Sequence, residues 1–181
     1  GAWSMWYLPY PITQNSGPTV DIPNFLNSQQ PVTTAEEAET YLVRLASVKD
    51  ALAGSLESYK QGVEQGAIPP DFIVEKSLAV VEAFIEPEAG RNVLFLSFVE
   101  RLEQAGIEDA ESYADRALKI IDGEVIPGYQ QIADYMAEIR SSAPHDAGVW
   151  RLPNGEALYA AMIRHMTDSN LSADEIHRTG L

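Results

Sequence analysis

Apolar residues recur at steps of three and four along two long stretches of the chain, which is the spacing of one face of an α-helix. The first stretch follows overlapping capping-box patterns at Thr33 and Thr34, where a hydroxyl and a later carboxylate satisfy free backbone N–H groups. The second begins near Asp109 and continues through Pro127, which predicts a helix kinked by proline rather than ended by it. The predicted inner face of the first helix is Ala38, Tyr41, Leu42, Leu45, Val48, Leu52, Leu56, Tyr59 and Val63.

Three shorter helices are predicted around these two. Pro69 and Pro70 stand where a helix begins, because proline is tolerated in the first turn, and Pro87 with Gly90 ends that helix. Residues 93–102 are apolar on nearly all sides, which predicts a short buried helix. A further helix is predicted over residues 156–166.

One segment carries a β signal. Residues 149–152 are followed by Pro153, Asn154 and Gly155, which is typical of a strand entering a tight turn. The sequence therefore predicts a mainly α fold of long amphipathic helices, with a proline-kinked helix and one small β-hairpin near residues 149–156. This fold is predicted to be part of a larger helical domain.

The first 33 residues are predicted to form an extended arm that is rich in aromatic residues and proline. Proline is excluded from helix interiors and biases the preceding residue away from the helical conformation. The arm precedes a helical region over residues 34–181, which we expect to be incomplete at its C-terminal end because a capping box at Ser172 starts a new helix close to Leu181. The prolines of the arm are Pro9, Pro11, Pro18, Pro23 and Pro31, and its aromatic residues begin with Trp3, Trp6, Tyr7 and Tyr10.

Composition narrows the classes of partner. Twelve Lys and Arg against 27 Asp and Glu give a net charge of -15, and a surface of that sign repels nucleic acid and anionic lipid. Neither nucleic acid nor a membrane is therefore expected as a partner. The chain has no cysteine, so the redox compartment cannot be inferred, and both a cytoplasmic and an exported location remain open.

The sequence contains no complete catalytic or metal-binding motif. His-Glu-x-x-His, which places two imidazoles a turn apart beside a carboxylate, is absent, and so are the common phosphate-binding loops and the Gly-x-Ser-x-Gly elbow. Asp174 and His177 have the spacing of a carboxylate–histidine metal pair, but di-metal bundles need a second such pair. We therefore predict no catalytic residue, no metal ligand and no cofactor within this chain.

Several short motifs nevertheless resemble those of one bacterial family, domain of unknown function 885, whose members resemble helical zinc metallopeptidases. The densest motif runs from Gly148 through Trp150, Leu152, Pro153 and Gly155 to Tyr159, and is followed by His165-x-Thr167 and by Leu171-Ser172-x-x-Glu175-Ile176-His177-x-x-Gly180-Leu181. Earlier motifs are Pro31-x-Thr33, Tyr41-Leu42-x-Arg44-Leu45, Gly66-x-x-Pro69, Arg101-Leu102 and Val125-x-Pro127-x-Tyr129. Asp168 departs from the pattern, since a second hydroxyl is expected after Thr167.

The resemblance implies that this chain is the amino-terminal scaffold and one cleft wall of a zinc-dependent peptidase. In such a parent, zinc would be held by the missing C-terminal part of the protein, which is the expected partner, and the substrate would be a peptide. Tyr159, His165 and Thr167 are then the candidates for lining the substrate cleft. The alternative is a free-standing helical module that binds a protein partner through the aromatic arm or through Trp150, with no catalysis.

Overall fold

A computed structural model describes residues 10–167 and 169–181 of the chain. Within these residues the structure is helical and contains no β-strand. Short 3-10 turns cover Ala89–Arg91 and Val149–Arg151, and a π-helical turn covers Ile121–Val125. The α-helices are α1 (Pro18–Ser28), α2 (Ala35–Glu64), α3 (Asp71–Ile85), α4 (Val93–Ala105), α5 (Ala110–Ile120), α6 (Ile126–Arg140), α7 (Gly155–Thr167) and α8 (Ala173–Thr179).

Helix α2 is the central helix of the fold. It starts where the capping patterns predict, with the Thr34 side chain accepting a hydrogen bond from the N–H of Glu37. The carboxylate of Glu37 accepts hydrogen bonds from the N–H and hydroxyl of Thr33. At 1.5 Å per residue this helix is about 45 Å long, and it contacts α1, α5 and α6. Its buried residues are Ala38, Tyr41, Leu42, Leu45, Val48, Leu52, Leu56 and Tyr59, eight of the nine predicted.

The second long helical stretch runs without interruption from α5 through the π-helical turn into α6. Pro127 lies in the first turn of α6 and has no N–H to offer the carbonyl of Gly123, four residues earlier. The wider turn at Ile121–Val125 accommodates this missing hydrogen bond, which is a common cause of a helix distortion. The prediction that the chain stays helical through Pro127 is confirmed.

The core around α2 and α6 is closed by α1, α3, α4 and α5. Helix α3 packs along α6, and α4 packs against α5 and α1. Two stacked aromatic pairs connect these helices. The ring centres of Tyr41 on α2 and Phe98 on α4 lie 4.2 Å apart, and those of Phe84 on α3 and Tyr129 on α6 lie 4.1 Å apart. Such pairs add specific geometry to the burial of apolar area.

The predicted extended arm is corrected over part of its length, because Pro18–Ser28 is α1. Pro18 occupies the first turn, where its missing N–H costs nothing, and Pro23 is accommodated within the helix. Burial of Leu26 against the core outweighs the weak intrinsic helix propensity of this proline-containing segment. Residues 1–9 of the predicted arm, including Trp3, Trp6 and Tyr7, lie outside the described residues.

The predicted β-hairpin near residues 149–156 is wrong. Val149–Arg151 forms a 3-10 turn, and Asn154 adopts a left-handed conformation with φ of 57°. The carbonyl of Asn154 accepts a hydrogen bond from the N–H of Leu158, so the Pro-Asn-Gly turn leads into α7. A strand needs a partner, and the residues after the turn have helical spacing instead of strand alternation.

Helices α7 and α8 end the chain and are much more exposed than the rest. Gly155 is the buried residue of α7, and α8 has no buried residue among those described. The predicted capping box at Ser172 is confirmed, with its side chain and that of Glu175 each bonded to the other's backbone N–H. No helix in the described part of the chain is both long enough and apolar enough to span a membrane.

Candidate functional site

The three side chains predicted to line a cleft lie on α7 or at its end. The Tyr159 side chain is 48% exposed, and His165 and Thr167 are also exposed. Tyr159 and His165 are six residues apart, about 240° around the helix, whereas Thr167 lies about 80° from Tyr159. Tyr159 and Thr167 therefore lie on adjacent faces of α7, whereas His165 lies on a different face. No single face carries all three side chains.

Thr167 has a local structural contact at the end of α7. Its hydroxyl lies 2.8 Å from the carbonyl oxygen of Ile163, to which it donates, and 2.9 Å from the hydroxyl of Ser169. A hydroxyl bonded to the carbonyl four residues earlier is common within helices and gives Thr167 a role in ending α7. Asp168, the departure from the family pattern, lies outside the described residues.

The start of α7 is fixed by close packing in the turn before it. A Cβ atom at Gly155 would lie 1.9 Å from the carbonyl oxygen of Val149, and one at Gly148 would lie 2.1 Å from the ring of Trp150. Gly155 is therefore required by the approach of the backbone, whereas at Gly148 the clash is with an exposed side chain that can move aside. Trp150 itself is 73% exposed.

Arg151 connects this turn by hydrogen bonds to residues that are distant in sequence. Its Nη2 atom donates to the hydroxyl of Tyr10 at 2.6 Å and to the carbonyl of Ile68 at 2.7 Å. Burial raises the pKa of Tyr10, and the neighbouring guanidinium partly offsets that rise. These contacts join residues 83 and 141 positions apart, which is why local sequence patterns did not reveal them.

A second set of hydrogen bonds holds the loop between α6 and the 3-10 turn at Val149–Arg151. The N–H of Asp71 donates to the carbonyl of Pro144, and Nδ1 of His145 lies 3.0 Å from both carboxylate oxygens of Asp71. The hydrogen bond with His145 is the main reason that the pKa of Asp71 is lowered. One of the three histidines of the chain thus stabilises the loop that leads to α7.

Motif residues from distant parts of the chain meet where α1, α2 and α4 join. The guanidinium of Arg101 donates to the carbonyls of Leu26 and Gln30 and lies 5.3 Å from the ring centre of Tyr41. Arg44 donates to the side chain of the buried Gln30. Burial raises the pKa of Tyr41 to about 12. The motif at residues 41–45 and the one at residues 101–102 therefore build a structural junction.

The described residues do not fit a zinc site. Among them, no group of three His, Cys, Asp or Glu side chains is placed to hold a metal ion. A tetrahedral zinc site requires three or four such ligands around one point. Residues 10–167 and 169–181 therefore do not form such a centre by themselves.

Comparison with known proteins gives the family. Residues 2–181 match the family described as bacterial protein of unknown function (DUF885). The chain belongs to the DUF885 family. The resemblance seen in its motifs is thus confirmed over nearly the whole length, whereas the likeness to zinc metallopeptidases remains an expectation.

A solved structure shares this fold. The crystal structure of "the putative lipoprotein from Colwellia psychrerythraea" superposes with a TM-score of 0.87 at 25% sequence identity. The match covers 93% of this DUF885 chain and 29% of the Colwellia chain, so this chain spans less than a third of that protein. No curated protein matches the sequence.

Proposed function

We propose that this DUF885 chain is the amino-terminal scaffold and one cleft wall of a zinc-dependent peptidase, whose zinc is held outside these residues. The observation that carries the proposal is the placement of α7, an exposed helix whose base is fixed to the body by Arg151. Substrate-binding groups are effective when rigid elements hold them in place. Here the support comes from Tyr10, before α1, and from Ile68, in the loop between α2 and α3.

Two further observations support the proposal that this chain forms a cleft wall and is not a complete enzyme. The described residues lack a set of metal ligands, and the matched region is 29% of the Colwellia chain. Tyr159 offers a phenol that can donate or accept a hydrogen bond, and His165 offers an imidazole. A peptide backbone presents N–H and C=O groups that such side chains can orient. In this proposal Tyr159 and His165, which point about 120° apart around α7, border the substrate groove from two sides, and neither binds the metal.

The test uses a longer DUF885 protein that contains this region. Tyr159→Phe and His165→Ala are made separately, and turnover of a peptide mixture, zinc content and melting temperature are measured together. Tyr113→Phe on α5 is the matched control for loss of a hydroxyl. We expect turnover to fall by about tenfold or more, with zinc and melting temperature unchanged. Unchanged turnover in both variants, or a fall that follows melting temperature, would contradict the proposal.

A second candidate function is protein binding without catalysis, favoured by the exposed indole of Trp150. Tryptophan is enriched among residues that dominate protein interfaces. This candidate predicts that Trp150→Ala abolishes capture of a partner by the 181-residue chain without changing its melting temperature. Retained capture would rule out Trp150 as the contact.

A further inference from the structure

Helix α7 carries an apolar stripe that the described structure leaves largely uncovered. The stripe consists of Leu158, Tyr159, Met162, Ile163 and Met166. At 3.6 residues per turn these side chains fall within an arc of about 140°, the width of a core-facing helix surface. Yet Tyr159 is 48% and Met166 is 77% exposed, and the other three are only partly buried.

Exposed apolar side chains are concentrated in this part of the chain. Ten large apolar side chains are exposed among the described residues, and five of them lie between residues 150 and 181. Large contiguous apolar surfaces are uncommon on proteins that act alone and mark contact sites. The five are Trp150, Tyr159, Met166, Leu171 and Leu181.

The charge of the same segment differs from that of the body. Residues 149–181 carry three Arg and four Asp or Glu, whereas the preceding 148 residues carry nine Lys or Arg and 23 Asp or Glu. A segment whose charges nearly balance lacks the net negative repulsion of the preceding part of the chain. Methionine adds adaptability, because its unbranched side chain fits partners of varied shape. The stripe therefore suits an apolar partner surface.

The length of the Colwellia protein indicates which partner would cover the stripe. More than two thirds of the Colwellia chain lies outside the region matched here. We propose that the α7 stripe is the seat for an apolar helix from the remaining part of a longer DUF885 protein, packed in the same molecule. The inference rests on the proposed function, since it names the partner that forms the opposite wall. The contact would bury Leu158, Met162 and Met166, which span about 80° of the helix, and would leave Tyr159 at one edge of the contact, beside the cleft.

The test measures thiol reactivity, which the absence of cysteine from this chain makes possible. Met166→Cys is compared with Val43→Cys, a control on α2 that is 68% exposed and has polar neighbours. In the 181-residue chain both thiols should react with a maleimide at similar rates. In the longer protein, labelling at residue 166 should slow by about tenfold or more while labelling at residue 43 stays unchanged. Mass spectrometry of the labelled peptides assigns each rate to its position.

Three results would overturn the proposal. The first is equal labelling at residue 166 in both proteins, with the circular dichroism of each variant matching the parent. The second is dimerisation of the 181-residue chain with protection of residue 166, which assigns the stripe to a second copy. The third is slowed labelling at residue 43 as well, which indicates general protection. Protection of residue 166 alongside unchanged turnover in the Tyr159 and His165 variants would uphold this interface and reject the proposed cleft.

Discussion

The hydroxyl of Tyr129 on α6 donates a hydrogen bond of 3.2 Å to the backbone carbonyl of Thr19 on α1. That carbonyl would normally accept the N–H of residue 23, four positions later, but Pro23 has no N–H. Both partners are buried, and burial raises the pKa of Tyr129. A side chain 110 residues away thus supplies the donor that proline removes, which lets a proline-containing segment remain helical.

Removing this hydroxyl should destabilise the fold by leaving a buried carbonyl without a donor. We expect Tyr129→Phe to lower the free energy of unfolding by about 1–3 kcal/mol in urea titrations. In the Pro23→Ala background the restored N–H can bond to Thr19, so the same substitution should cost roughly 1 kcal/mol less. An equal cost in the two backgrounds would show that Tyr129 does not substitute for the missing donor.

Asn92 is a buried side chain with two separable functions. Its Oδ1 atom accepts from the N–H of Leu94 at the start of α4, and its Nδ2 atom donates to the carbonyl of Phe84 at 2.8 Å. Asn92→Ala removes both bonds and should cost about 2 kcal/mol or more. Asn92→Ser keeps a capping oxygen and loses the donor to Phe84. Thermal unfolding should place Asn92→Ser between wild type and Asn92→Ala, and an alanine variant as stable as wild type would refute this.

Arg101 and Arg116 provide a matched pair of arginine substitutions. Arg101 bonds to backbone carbonyls of Leu26 and Gln30 in a half-buried position, while Arg116 pairs with Glu39 where both side chains are 47% exposed. We expect Arg101→Met to lower the free energy of unfolding by about 2–3 kcal/mol. Arg116→Met should cost less than about 1 kcal/mol because exposed ion pairs are weak. Equal costs would mean that Arg101 does not hold α1 in place.

The sequence predicts best where one periodicity dominates. On α2 the large apolar positions recur at steps of three and four, so the buried face follows directly from spacing. On α3 apolar residues surround most of the helix, and spacing alone does not separate the buried Val74 and Leu78 from the exposed Val80. Only packing against α6 decides between such faces.

The candidate site was less predictable because long-range contacts define it. The helix that carries Tyr159 and His165 and ends at Thr167 was predicted from spacing, whereas the role of these residues as cleft candidates came from a resemblance and not from chemistry. The turn before α7 carried a hairpin signal in its Pro-Asn-Gly sequence, and a turn signal does not state which element follows. No local sequence pattern indicates the hydrogen bonds of Arg151 and His145, since their partners are distant in sequence.

The loop before α7 should loosen as the Asp71 carboxylate is protonated. The hydrogen bond with His145, and then that from the N–H of Phe72, lowers the pKa of Asp71 below its usual 3.8, so folding favours the ionised form. That contribution is fully present above about pH 4 and disappears as the pH falls through the lowered pKa. Glu37, Glu39 and Glu175 also have lowered pKa values and contribute in the same direction, so the comparison must be made between variants.

We therefore expect Asp71→Asn and His145→Gln each to lower the melting temperature at pH 7. Between pH 5 and about pH 3, the melting temperature of each variant should fall by less than that of wild type. The double variant should be no less stable than either single one, because the pair acts as a unit. Amide hydrogen exchange at residues 145–148 gives a local readout, and it should be faster in both variants at pH 7 while exchange in α2 is unchanged. A wild-type acid profile retained in Asp71→Asn would show that the contact between Asp71 and His145 does not fasten the loop.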